Sequence, residues 1–112
     1  MIIKTVKFRA NHQHLKRTTN LICTPSGCVN VFAAEFELGE PWQEYDKIYV
    51  SWSQGDKTEF TDLDDSLSCV VPASLLADTG VINCSLVGSK NGKKRLTTYP
   101  CTAVNVNAKS YL

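Results

Sequence analysis

Lys47-Ile48-Tyr49-Val50-Ser51-Trp52-Ser53 alternates apolar and polar residues without a break. A period of two marks a β-strand with one face buried and the other in water. Ile48, Val50 and Trp52 therefore point to a core, and Tyr49, Ser51 and Ser53 point away from it. The segment runs through the turn pair Gly55-Asp56 into residues 57–61, which read as its hairpin partner. Upstream, residues 29–38 put Phe32, Ala34, Phe36 and Leu38 on one face and Glu35 and Glu37 on the other. Residues 2–8 alternate in the same way. Downstream, residues 67–71 form a short apolar run stopped by Pro72. Residues 80–88 oppose Ile82, Cys84 and Leu86 to Asn83, Ser85 and Val87, and residues 95–106 return after a hairpin.

The turns fit this reading. Asn91-Gly92 is the strongest short hairpin signal, because both residues tolerate the positive φ of a type I′ turn. Thr24-Pro25-Ser26-Gly27 and Gly39-Glu40-Pro41 punctuate the chain between apolar runs. One helical turn is expected over residues 73–77, opened by Pro72 and closed by Asp78-Thr79-Gly80. The pattern predicts an all-β fold of about seven strands, an antiparallel sandwich, in one domain spanning residues 1–112.

Composition narrows the function. The 112 residues carry 12 Lys and Arg against 11 Asp and Glu, for a formal net charge of +1. Nucleic-acid binders draw most of their affinity from basic surface. Here Lys90, Lys93, Lys94 and Arg95 make the one dense basic run, which reads as a solvated hairpin tip. No nucleic-acid partner is expected. The N-terminus alternates and lacks a signal-peptide core. No stretch approaches the roughly 20 apolar residues that cross a bilayer. The expectation is a chain made in the cytoplasm without a signal peptide and with no membrane partner.

Cys23, Cys28, Cys69, Cys84 and Cys101 are odd in number, which argues for free thiols. Cys69, Cys84 and Cys101 lie in strand-like runs and read as small buried hydrophobes. His12 and His14, with Cys23 and Cys28 nearby, have poor spacing for zinc, although both histidines would project to one side of an extended strand. The sequence has no G-x-S-x-G, H-E-x-x-H or G-x-x-x-x-G-K. Glu35 and Glu37 read as an exposed strand face, not as a carboxylate pair for glycoside hydrolysis. No enzyme activity, cofactor or metal is expected. Trp42, Tyr45, Tyr49, Trp52 and Tyr99 admit a glycan-binding site, although Trp52 is in phase with the core.

Several pieces occur in a familiar order. They are Val6-Lys7-Phe8-Arg9-Ala10-Asn11 with Leu15-Lys16-Arg17-Thr18, Ala34-Glu35-Phe36 leading to Trp42, and Lys47-Ile48-Tyr49-Val50. Cys69-Val70-Val71-Pro72 with Leu75-Leu76, Gly80 with Ser85-Leu86-Val87-Gly88, Arg95-Leu96-Thr97-Thr98 and Ser110-Tyr111 follow. As an ordered set, they resemble the N-terminal immunoglobulin-like sandwich of structural proteins from tailed phages of Gram-positive bacteria, of the baseplate upper protein and tail-fibre type. The Cys23/Cys28 loop is not part of that pattern. The resemblance implies an immunoglobulin-like fold, a place in the virion and a docking or adaptor role anchoring a baseplate or fibre element. It supplies no catalytic residue. Such domains usually continue into a fibre, whereas this sequence ends at Leu112, so a capsid decoration or head-fibre base is the alternative. Expected partners are other virion proteins in a symmetric homo-oligomer, with a host-surface glycan as a further candidate. Interfaces favour large aromatic anchors. Trp42, Tyr49, Tyr99 and Tyr111 are the candidate contacts.

Overall fold

The computed structural model describes residues 2–29 and 31–107. The chain is mostly β, folded into two sheets around one core. The strands are β1 (Lys4–Asn11), β2 (His14–Arg17), β3 (Ile22–Pro25), β4 (Phe32–Leu38) and β5 (Lys47–Gln54). They continue with β6 (Lys57–Asp62), β7 (Ser68–Val70), β8 (Gly80–Lys90), β9 (Lys94–Thr97) and β10 (Cys101–Asn107). A 3₁₀ turn, Trp42–Glu44, precedes β5, and a single helical turn, α1 (Ala73–Leu76), precedes β8. One sheet has the order β2-β1-β4-β7. The other runs β3-β10-β8-β5-β6, with β9 also paired to β8.

Among the described residues, ten strands stand where about seven were expected. Residues 95–106 are not one strand: Thr98-Tyr99-Pro100 interrupts them. There Thr98 turns inward, donating its N–H to the Leu86 carbonyl and accepting the Leu86 N–H on its hydroxyl. β2 and β3 each span four residues, too few for alternation to declare them. The expected hairpins form. β5 returns as β6 with Gln54 opposite Lys57. The β8–β9 turn has positive φ at both Asn91 and Gly92, but its register pairs Lys90 with Lys94, so the loop holds three residues and not two. Nor is the fold purely antiparallel, because β1 pairs parallel to β4 and β3 pairs parallel to β10.

The core follows the alternation. Val6, Phe8 and Ala10 from β1 meet Phe32, Ala34 and Phe36 from β4, with the Phe8 and Phe36 rings stacked at 5.1 Å. Across the core stand Val50, Trp52, Ile82, Cys84, Leu86, Val104 and Val106 of the second sheet. Leu75 and Leu76 of α1 are buried, which is why that short turn holds without a side-chain cap. The Trp52 indole N–H donates to the Thr61 hydroxyl at 2.8 Å, so the largest inward side chain of β5 carries no unpaired donor.

Candidate functional site

The four side chains singled out as contacts are not brought together. Trp42 is a correction: it lies wholly inside the core. Its indole N–H donates to the His12 carbonyl at 2.7 Å, and its ring lies 5.9 Å from that of Tyr45. It folds inward because Gly88 on β8 leaves space. A Cβ there would sit 3.0 Å from Trp42 Cζ3 and 3.2 Å from the Tyr45 ring. Tyr49 is half-buried on the outer face of the second sheet, where its hydroxyl accepts from Arg95 at 3.3 Å. Tyr99 is 63% exposed beside His14, with ring centroids 6.2 Å apart. Tyr111 lies outside the described residues.

The histidines do not share one extended strand. Asn11 pairs with His14, so His12 and Gln13 are the turn between β1 and β2, and His12 has φ of 52°. Cys23 is exposed on β3, whereas the Cys28 thiol lies 3.4 Å from the Thr24 hydroxyl. Among the described residues, no three His, Cys, Asp or Glu side chains are grouped to hold a metal ion. Glu35 and Glu37 stand on the outer face of the first sheet, paired with Lys7 at 3.9 Å and Arg9 at 3.3 Å. Cys84 is buried and sits opposite half-buried Cys101 in the β8–β10 ladder. Burial pushes the Cys69 thiol up to about 11, opposed by a hydrogen bond from the Thr61 side chain and assisted by Asp64. Burial raises Cys84 well above its ordinary range too. Both shifts favour the protonated thiol over the nucleophilic thiolate.

Two surface features remain, and sequence reasoning singled out neither. The first is Phe60, 63% exposed on β6. β6 is an edge strand, so one row of its backbone donors and acceptors has no ladder partner among the described residues. Phe60 pairs across the ladder with Ser51 and meets Tyr49 edge-on at 5.7 Å. A lone aromatic among Lys57, Thr58, Glu59 and Asp62 was its signal in the sequence.

The second feature is a depression of about 340 Å³ where the two sheets part. Its floor joins Leu38 from the end of β4, Trp42 and Tyr45 around the 3₁₀ turn, and Ile48 of β5 with Leu63 and Leu67 between β6 and β7. Exposed Asp46, Asp64 and Asp65 line its rim. The β6–β7 loop is closed by its own hydrogen bonds. The Asp64 carboxylate accepts the N–H groups of Ser66 at 2.8 Å and Ser68 at 3.0 Å, and the Asp64 carbonyl accepts that of Leu67 at 2.9 Å. The Leu67 carbonyl in turn accepts the Phe36 N–H, which ties the loop to β4. On the far side, Asp46 accepts the Asn91 N–H at 3.1 Å, fastening the β8–β9 hairpin.

The sequence matches no protein-family model, and no curated protein matches it significantly. Among the described residues, no helix is long and apolar enough to cross a membrane.

Proposed function

We propose that this protein is a non-catalytic docking or adaptor module of a phage particle, with an immunoglobulin-like sandwich fold, that anchors a baseplate or tail-fibre element. The ordered sequence resemblance supports the phage assignment, and the two-sheet architecture agrees with it. The observation that carries the docking role is the open β6 edge, with Phe60 standing out against Tyr49. An unpaired strand edge offers backbone hydrogen bonds, and an exposed aromatic beside it offers an anchor; strand addition uses both. Symmetric homo-oligomers place such an edge repeatedly around one axis.

Peptide mass spectrometry of purified particles tests the assignment, followed by tracing the chain in cryo-electron microscopy maps. Peptides from this chain at stoichiometric level are expected, with β6 covered by a neighbouring chain. Particles without the chain overturn the reading. A glycan-binding role for host attachment rests on a different observation, the exposed Tyr99 ring beside His14. Binding on a glycan array that Tyr99→Ala abolishes is its expected signature, and an array without hits removes it.

A further inference from the structure

We propose that the depression between the sheets binds a segment of a partner protein in which one apolar side chain is flanked by lysines or arginines. This rests on the docking role proposed above and names what that role engages. Half-buried Leu38, Ile48 and Leu63 leave apolar surface in contact with water at the floor, and covering it is favourable.

Charge selects the flanks. Asp46, Asp64 and Asp65 line this depression, and Glu40 and Glu44 line an adjoining one of about 350 Å³ that shares Gln43 with it. No described lysine, arginine or histidine lines either. Basic and acidic residues are balanced at 12 to 11 over the chain, so five carboxylates at one end are a local segregation of charge. Of the six acids elsewhere, Glu35 pairs with Lys7, Glu37 with Arg9 and Asp78 with Lys57, while Asp56, Glu59 and Asp62 are scattered singly along β6 and its turn. Among the described residues, no ion pair reaches Glu40, Glu44, Asp64 or Asp65. Carboxylates gathered around a concave surface attract cationic segments and repel anionic ones. The basic turn at Lys90 and Lys93 begins beyond Asp46. A bound segment therefore turns its cations toward Asp64 and Asp65, away from that turn.

The probe is acetyl-Ala-Lys-Lys-Leu-Lys-Lys-Ala-amide, titrated into the ¹⁵N-labelled full chain and read by amide chemical shifts. Saturable shifts centred on Leu38, Ile48, Leu63 and Leu67 are expected. Raising salt from about 50 mM to about 300 mM should weaken binding severalfold, because the Debye length shortens. The double variant Glu44→Lys with Asp65→Lys should weaken it about tenfold. Neither side chain caps a described backbone group, so the melting curve should be unchanged. If that variant does not fold, the salt series and a peptide with glycine in place of leucine decide the matter on the native chain.

Four results overturn the proposal: equal binding of the peptide with glutamate for lysine, shifts centred on β6 or Tyr99, no saturable shift at about millimolar peptide, or the same residues shifting with protein concentration alone. The last would mean that a second copy's own turn at Lys90–Lys93 fills the site. None of them touches the particle assignment, which is read separately by mass spectrometry.

Discussion

On the outer face of the β2-β1-β4-β7 sheet, Lys7 meets Glu35 and Arg9 meets Glu37; at the open end, Asp64 and Asp65 meet no described cation. The first arrangement comes from register. β1 and β4 run parallel with Lys7 beside Glu35 and Arg9 beside Glu37, so each charge finds its opposite across the ladder. The second comes from topology, which collects acids from separate loops over an apolar floor. Neutralised charge over a well-packed sheet makes a solvated face. Unmatched charge around half-buried apolar side chains is what the proposed docking site rests on.

Four changes would break or sharpen that comparison. Trp42→Ala removes the floor of the depression from beneath, with its hydrogen bond to His12, and should cost about 3–5 kcal/mol in urea unfolding. A cost below about 1 kcal/mol would mean that the floor is not part of the core. Cys69 on β7, opposite Ala34, probes the first sheet by pH. Its folded pKa of about 11 is above the ordinary value of 9.0, so its stabilising contribution is complete below about pH 9 and is lost as pH rises through 11. The full loss is about 2–3 kcal/mol. Urea midpoints should fall between pH 9 and 11, and Cys69→Ala should flatten that slope.

Gly88→Ala pushes a methyl against Trp42 and Tyr45, and should cost about 1–3 kcal/mol while weakening any ligand of the depression. The smallest effect belongs to the ladder. Glu35→Gln and Glu37→Gln should each change stability by about 0–1 kcal/mol, because exposed pairs are screened by water. If thermal melts show the ladder to matter as much as Trp42, the contrast drawn above is wrong.

The main strands were legible because one side of each faces a core and the other faces water. The alternation at Val50-Trp52 and at Phe32-Ala34-Phe36 translated directly into burial, with Ile48 left half-buried at the start of β5. β2 was not legible, because Leu15 is its one apolar residue. β3 was missed because Thr24 faces inward where the pattern asks for an apolar side chain. Trp42 was expected as a contact, and the space that receives it in the core is set by a glycine on a distant strand. The depression escaped for the same reason. Its floor is assembled from separate segments, and no local spacing announces such a meeting.

The parallel pairing of β3 with β10 bears on how the chain comes to be folded at all. Val104 lies beside Ile22, and Val106 beside Thr24. During synthesis the β1–β2, β5–β6 and β8–β9 hairpins can close within microseconds of emerging. β3 must wait until β10 has emerged, because that strand is its ladder partner. Until then, both β3 and one flank of β8 are open to other chains, the condition under which nascent β-proteins aggregate. The seven residues of β10 thus close two ladders at once, and a ribosome that stops short of them releases a sheet with two unfinished seams.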